Sequence, residues 1–235
     1  MLIKNSADRT ARHREKIEAV LGFLRREIYS DFPTINRLFG FKNHRGLYDL
    51  LNKLVAEGGL KKHRIGKRVL WSITATGAAR EGTHPRFRGD GLSATKAASI
   101  AQRLAEQNAR LSCEAGGGTG WFSAADPLYP SQTTPRPTAI FTRPGGERAA
   151  VVVETRMKTL ARYREVVKNH LLARKQREWL AVLYVVPSES HKIAVRLHLR
   201  SLEYVNVGGV RYPITPAHLA IFTVVSQEAL REQGF

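Results

Sequence analysis

Apolar positions in the first eighty residues recur first with a helical period and then with a strand period. Apolar side chains three or four residues apart indicate amphipathic helices, and Pro33 and Gly58 stand where one helix begins and another ends. Gly66 separates two strand-like runs, at a position where a hairpin needs a residue that tolerates positive φ. The predicted elements are helices over residues 12–28, 34–39 and 45–57 and strands over residues 60–64 and 68–73.

The later part of the chain alternates helical patterns with apolar strand runs. Residues 181–186 (AVLYVV) are apolar without interruption, as in a strand that is covered on both faces. The glycine-rich residues 116–120 lack the Lys-Ser/Thr ending of a phosphate-binding loop and are interpreted as a flexible linker. The predicted elements are helices over residues 94–111, 160–179 and 191–202 and strands over residues 121–123, 138–142, 148–155 and 181–186.

Turn-forming residues cluster at 81–91 (EGTHPRFRGDG), where no apolar period continues, and predict a domain boundary. In residues 1–82, a short helix, a turn, a longer helix and a hairpin follow one another, which is the layout of a winged helix-turn-helix. Residues 83–93 are expected to be a linker, and residues 94–235 an α-β-β-β-α-β domain like that of restriction endonucleases. The expected fold class is therefore α+β.

The 235-residue chain carries 38 Lys and Arg against 20 Asp and Glu, a formal net charge of +18. This charge favours a polyanionic partner, either nucleic acid or an acidic membrane surface. No membrane partner is expected, because the apolar runs fall short of the ~20 residues of a spanning helix. The single cysteine, Cys113, excludes an internal disulfide and a multi-cysteine metal site. With no secretory signal visible at its start, the chain is expected to be cytoplasmic.

The positive charge is densest in the first third of the chain. Residues 1–80 hold 17 Lys and Arg against 7 Asp and Glu, a net of +10. A recognition helix fits the DNA major groove, and cations on a wing neutralise phosphates, so double-stranded DNA is the expected partner. The alternative is a winged helix used only for protein contacts. The candidate DNA-binding residues are Asn43, His44, Arg45, Tyr48, Asn52, Lys61, Lys62, Arg64, Lys67 and Arg68.

A series of short motifs runs along the chain: ITATG after the hairpin, His84, Trp121, Arg136-Pro137, VVVE, Lys158, Tyr163, VLYVVPS and Pro213-Ile214-Thr215. In this order they resemble the replication-relaxation family of plasmid and integrative-element proteins and the MobC type of mobilisation protein. The resemblance implies a DNA-binding protein of a mobile genetic element, acting as a transfer or replication accessory factor or as a transcriptional regulator. Other transfer or replication proteins, and a second copy in a homodimer on palindromic DNA, are possible further partners.

The resemblance also implies where a metal site would lie. Nucleases of this fold place an Asp on one hairpin strand and an acid with a Lys on the next, and the carboxylates hold a divalent ion. Here Thr138 follows the Arg-Pro pair where an Asp is expected, and Val152 takes the place of the second acid. Glu154 and Lys158 remain. No metal and no other cofactor is therefore expected, and the nuclease-like domain is expected to be inactive.

The alternative is a Mg²⁺- or Mn²⁺-dependent nuclease or relaxase that nicks DNA with Glu154, Lys158 and a further acid, for which Asp126 is the candidate. A relaxase could also use Tyr163 as a nucleophile, but at an apolar helix position a core tyrosine is the favoured interpretation. Without catalysis, Glu154 is interpreted as a strand-end carboxylate paired with one of three nearby basic residues, Arg156, Lys158 or Arg162.

Overall fold

A three-stranded antiparallel sheet and a five-stranded mixed sheet organise the chain, one in each of two units. The computed structural model describes residues 6–40, 44–80, 92, 97–126, 128–131 and 136–233. The units comprise Met1–Ile100 and Ala101–Phe235. Their mixed helices and strands confirm the α+β class. The predicted linker, residues 83–93, lies outside the described residues apart from Leu92. None of the described helices is long and apolar enough to cross a membrane.

Unit 1 follows the predicted order of helices and hairpin. Its strands pair antiparallel in the order β1-β3-β2, and apolar side chains from α1, α3 and β3 are buried together with them. Asp31 caps α2 by accepting the backbone N–H of Thr34 at 3.1 Å, and Pro33 lies in the first turn, as predicted. The elements are α1 (Ser6–Glu27), β1 (Tyr29–Asp31), α2 (Phe32–Arg37), α3 (Arg45–Ala56), β2 (Leu60–Ile65), β3 (Arg68–Ile73) and α4 (Ala75–Arg80).

The strand β1 was not predicted, because three residues are too few to show an alternating pattern. The sequence indicated only a break between two helices. The structure adds that the chain turns at Ile28, whose φ is +70°, and then pairs with β3 from Tyr29↔Ser72 to Asp31↔Leu70. A tertiary pairing thus completes a sheet that the local sequence does not indicate.

Unit 2 is built on a five-stranded sheet in the order β10-β7-β6-β5-β4. Strands β4, β5 and β6 pair antiparallel, whereas β7 pairs parallel with both β6 and β10. The helix α6 makes the crossover from β6 to β7. The elements are α5 (Ala97–Ala115), β4 (Thr119–Ser123), β5 (Ala139–Thr142), β6 (Arg148–Val153), α6 (Leu160–Lys175), β7 (Ala181–Val186), α7 (Glu189–Arg200), β8 (Tyr204–Val207), β9 (Val210–Pro213), α8 (Pro216–Leu219), β10 (Phe222–Ser226) and α9 (Gln227–Gln233).

The central strands β6 and β7 are buried on both faces, as the continuous apolar run 181–186 predicts. One face packs with Tyr163 and Val167 of α6, and the other packs with Ala105 and Ala109 of α5. Alternate residues of β6 therefore belong to two separate core clusters, Ala150 and Val152 in the first and Val151 and Val153 in the second.

The prediction that residues 116–120 form a flexible linker is wrong. Gly118 donates its N–H to the Cys113 carbonyl at 2.9 Å and leads directly into β4. A Cβ at this position would stand 2.8 Å from that carbonyl and 2.8 Å from the ring of Phe141. The glycine is therefore required by close packing, which a run of glycines in sequence does not distinguish from a flexible segment.

The prediction that the long helix continues to residue 179 is also wrong, because α6 ends at Lys175. Arg177 adopts φ +58°, and the N–H of Glu178 donates to the Ala173 carbonyl at 3.0 Å, which together form a Schellman C-cap. The left-handed position is normally a glycine. An arginine there leaves no sequence signal for the helix end, and Trp179 turns instead into the core.

Residues 203–233 form elements that the sequence pattern did not indicate. The strands β8 and β9 make a separate hairpin, and β10 adds to the edge of the main sheet beside β7, in the register Phe222↔Val182. Pairing between segments forty residues apart depends on tertiary contacts, so the short run FTVVS is not recognisable as a strand by itself.

Gly77→Ala is expected to destabilise the protein by about 2 kcal/mol or more, because the new Cβ would overlap the carbonyl of Gly59, standing 2.9 Å from its carbon. The matched control is Gly22→Ala in α1, where the Cβ meets nothing within 4 Å, so helix propensity should leave stability unchanged or raise it by up to about 1 kcal/mol. Urea unfolding of both variants provides the measurement. Equal losses of stability in the two variants would contradict the close packing of α4 on Gly59.

Candidate nucleic-acid interface and the Glu154 cleft

The exposed face of α3 carries four of the five residues predicted to read DNA. His44 is the N-cap residue of this helix, and Arg45, Tyr48 and Asn52 are exposed along it. Asn43 lies outside the described residues. The opposite face is buried through four leucines, Leu47, Leu50, Leu51 and Leu54. The amphipathic pattern thus fixes which side chains of α3 face solvent.

The five predicted cations of the β2–β3 hairpin are all exposed, but they do not share one face. In an antiparallel pair, residues directly opposite each other project to the same side. By register, the face of Trp71 carries Lys62 and Arg64, the opposite face carries Lys61 and Arg68, and the turn carries Lys67. A duplex lying against one face would therefore contact only part of the set, and the turn residue is the one accessible from either side.

A hydrogen bond joins the hairpin to α3. The ammonium of Lys62 donates to the Tyr48 hydroxyl at 2.9 Å and lies 5.0 Å from the centroid of the Tyr48 ring and 5.7 Å from that of Trp71. Phe32 packs beside the Tyr48 ring, with the two ring centroids 6.0 Å apart. The partners of Lys62 are neutral, so its charge is retained at the surface while its position is fixed. Exposed side chains of the helix and of the hairpin thus form one continuous surface.

In unit 2, Glu154 lies buried directly after β6, with 4% of its surface exposed. Its N–H donates to the Val185 carbonyl at 2.9 Å, which extends the pairing of β6 with β7. The carboxylate accepts hydrogen bonds from the Tyr163 hydroxyl, from the Lys158 ammonium and, at 3.0 Å, from the Tyr184 hydroxyl. Burial and the neighbouring carboxylate raise the pKa of both phenols, so both hydroxyls remain donors. The interpretation of Glu154 as an ion-paired strand-end carboxylate is confirmed, with Lys158 as its partner.

The residues present do not fit a divalent cation. Thr138 uses its hydroxyl to accept a backbone hydrogen bond from β6 at 2.9 Å, and Val152 has no ligand atom. Asp126 accepts a hydrogen bond at 2.9 Å within its own loop. Both carboxylate oxygens of Glu154 already accept from donors. Across the described ranges, no three His, Cys, Asp or Glu side chains are grouped so that they could hold a metal ion. A metal would have to displace the Lys158 ammonium and find its other ligands elsewhere.

A cleft of about 190 Å³ opens beside this cluster, between the start of β5 and the helix α6. Its lining contains three cationic side chains from three different segments of the chain and no carboxylate. The lining residues are Arg136, Pro137, Thr138, Val152, Val153, Lys158, Arg162, Val166 and His170.

His170, at the inner end of this lining, is neutral. Its Nδ1 accepts a hydrogen bond from Trp179 Nε1 at 3.2 Å, and its ring packs edge-on against Trp179 and Phe222. Burial, and then the Lys158 charge, lower the pKa of His170 to about 3. Because Nδ1 is an acceptor, the single proton of the neutral ring is on Nε2.

The free thiol Cys113 and the candidate nucleophile Tyr163 are both enclosed. Cys113 is fully buried, and burial followed by the neighbouring Glu114 carboxylate raises the pKa of its thiol to about 12, so the thiolate is not available. Tyr163 is also fully buried and donates its hydroxyl to Glu154. Tyr163 is therefore the core tyrosine that its apolar helix position predicts.

Sequence reasoning missed Tyr184 and His170. Tyr184 lies within the apolar run 181–186, where aliphatic neighbours indicate only a buried strand. His170 lies in a helix whose many basic residues indicate an exposed surface rather than a buried ring. The sequence does contain one signal for Tyr184, because the carboxyl halves of adjacent parallel strands lie side by side. Glu154 after one such strand predicts that a polar-tipped side chain in the next strand will approach it.

His170→Gln is expected to make the free energy of unfolding depend less steeply on pH below pH 6.5. The unfolded chain binds a proton at His170 near pH 6.5, whereas the folded ring does not until about pH 3, so stability is complete above pH 6.5 and is lost as the pH falls. Between pH 6.5 and pH 5, the free energy of unfolding of the unmodified protein should fall by roughly 1 kcal/mol per pH unit more than that of the variant.

Urea unfolding at several pH values measures this difference. His44→Gln is the control, because its ring is exposed, and it should leave the pH slope unchanged. A His170→Gln slope identical to that of the unmodified protein would contradict a buried neutral imidazole.

Comparisons with protein-family models, with curated proteins and with solved structures found no match to this chain. What can be proposed about function therefore comes from the side chains and geometry described above.

Proposed function

We propose that unit 1 is a winged-helix domain that binds double-stranded DNA. Its element order, α1-β1-α2-α3-β2-β3 with a β1-β3-β2 sheet, corresponds to that of winged helices, with α3 as the recognition helix and β2–β3 as the wing. The observation that carries the proposal is the 2.9 Å hydrogen bond from Lys62 to Tyr48. It joins the exposed side chains of helix and wing into one surface that can contact groove and backbone together.

The exposed side chains have the chemistry that such a contact needs. Arg45 can donate two hydrogen bonds to a guanine edge, and Asn52 can pair with an adenine edge in the major groove. The wing cations Arg64, on the Trp71 face, and Lys67, at the turn, are suited to phosphates, where each contact releases counterions and makes affinity depend on salt. The alternative, a surface for protein contacts only, predicts no such salt dependence on DNA.

We propose further that unit 2 is a restriction-endonuclease-like domain without metal-dependent activity. Its α5-β4-β5-β6-α6-β7 order corresponds to the predicted α-β-β-β-α-β core, and among the described residues the cleft beside Glu154 is lined by no acid. Together with the order of motifs along the chain, this supports a role on a mobile genetic element, as a transfer or replication accessory factor or a transcriptional regulator. The chain would work in the cytoplasm, with a homodimer and other transfer or replication proteins as possible partners.

Lys67→Ala/Arg68→Ala is expected to weaken binding to a mixed-sequence duplex by about tenfold at moderate salt. Lys67 at the turn is the member of this pair that a duplex on the Trp71 face can reach, so the slope of log affinity against log salt should fall by about 1. Fluorescence anisotropy over a salt series measures both quantities. The matched control is Arg12→Ala/Arg14→Ala, which removes the same charge from exposed positions of α1 and should change the slope little.

Arg45→Ala extends the same experiment to the helix, because a base-reading side chain affects some sequences more than others. Unchanged affinity in both the Arg45 variant and the wing variant would overturn DNA binding through this surface. If the α1 control weakens DNA binding equally, the loss is caused by the lower net charge and not by the position of the wing cations.

Incubation of supercoiled plasmid with the protein and Mg²⁺ or Mn²⁺ separates binding from cutting. We expect the plasmid to stay supercoiled, because Glu154 already accepts from three donors and the cleft beside it is lined by no carboxylate. Nicking that disappears in Glu154→Gln and persists in Glu165→Gln, a half-exposed acid on α6, would instead establish the nuclease that uses Glu154 and Lys158.

A further inference from the structure

We propose that the cleft beside Glu154 binds a phosphate group directly, without a metal ion. The ligand class is a phosphoryl anion, either free in solution or carried by a nucleic-acid strand. The cleft lies wholly within unit 2, so this site goes beyond DNA binding by unit 1 and does not depend on it.

The charge balance of the cleft favours an anion. Arg136 precedes β5, Lys158 lies in the segment between β6 and α6, and Arg162 lies in the first turn of α6. The lining contributes these three positive charges and no carboxylate, and Glu154, which is buried behind Lys158 and already bonded to it, offsets one of them. A net of about +2 therefore remains at a partly enclosed surface, where charge interactions are stronger than in bulk water.

The two arginines are positioned without being neutralised. Arg136 donates to the Ala124 carbonyl at 3.1 Å and its guanidinium lies 5.0 Å from the centroid of the Tyr129 ring, so both contacts orient it and neither offsets its charge. Arg162 makes no ion pair within the part of the chain that the structure describes, and its side chain is exposed. Guanidinium groups match the oxygen atoms of phosphate in pairs, which makes such arginines suitable ligands.

His170 adds a neutral donor to the same lining. With Nδ1 accepting from Trp179, its N–H is on Nε2, and this group has no hydrogen-bond partner among the described residues. The side chain is 4% exposed and lines the cleft. This N–H is available to an anion oxygen in the cleft, which can accept a hydrogen bond from it.

The size of the cleft suits one phosphate group. About 190 Å³ is room for a tetrahedral anion with its nearest waters. Donors from three segments surround this space, as four phosphate oxygens pointing in different directions require.

The test is a titration of the full-length protein with inorganic phosphate in the presence of EDTA. The readout is the NMR resonance of the Trp179 indole N–H, identified by comparison with Trp179→Phe, because this group bonds the ring of His170. We expect a saturable shift of this resonance, about tenfold weaker phosphate binding in Arg162→Gln, and unchanged binding in Arg174→Gln. Arg174 is the matched control, an exposed arginine on the last turn of the same helix and outside the cleft.

The proposal would be overturned by the absence of a saturable shift or by a shift that appears only when EDTA is omitted. Equal weakening of phosphate binding in Arg162→Gln and Arg174→Gln would also overturn it. Lys67→Ala/Arg68→Ala should bind phosphate as the unmodified protein does, so that failure of this site and failure of DNA binding by the wing remain distinguishable.

Oligonucleotides then identify the source of the phosphate. A short oligothymidylate with a 5′-phosphate and the same strand without it are titrated under the same conditions. If only the phosphorylated strand shifts Trp179, the ligand is a strand end. If both shift it and Arg162→Gln weakens both, the ligand is a backbone phosphodiester. If neither does while inorganic phosphate still binds, the ligand is the free ion, and each of these three results supports the site.

Discussion

The burial of one carboxylate is the constraint on which the arrangement of unit 2 depends. An ionised Glu154 without partners would cost several kcal/mol in the core, so three donors from three places in the chain must reach it. Lys158 comes from the segment after β6, Tyr163 from α6 and Tyr184 from β7. The parallel β6–α6–β7 crossover brings these three together. The carboxylate thus fixes where α6 begins and how it lies on the sheet.

The same constraint decides the character of the adjacent cleft. Because the ammonium of Lys158 must lie beside Glu154, the first turn of α6 is held there as well, and with it Arg162, Val166 and His170 along one helical face. Where a metal centre would need several carboxylates at this edge of the sheet, the chain has Thr138, Val152 and arginines. The cleft therefore has a positively charged lining, suited to an anion, whereas a metal-dependent nuclease has carboxylates there that bind a cation.

Much of the fold could be predicted from local pattern, and the exceptions share a physical cause. The helices of unit 1, the hairpin and the run 181–186 are visible because their own periodicity determines which side is buried. The strands β1 and β10 form only by pairing with distant segments, and α6 ends at Arg177 in a conformation that usually has a glycine. Glu154 and Lys158 were identified through the family resemblance, whereas Tyr184 and His170 became functional candidates only once the crossover aligned them.

Part of the excess of 18 positive charges can be assigned to two particular surfaces. In unit 1 five cations lie on the two faces and the turn of an exposed hairpin, where water screens them and each would contribute a modest, salt-sensitive contact to a bound polyanion. In unit 2 three cations converge on a cleft that is partly enclosed, where fewer charges suffice for one anion. If both sites take phosphates of the same strand, the second contact becomes intramolecular, so a weak cleft can raise the overall affinity well beyond what its own phosphate binding would suggest. Under the proposed function, a cleft lined by no carboxylate favours such binding, because each carboxylate there would repel the phosphates that the wing is proposed to attract.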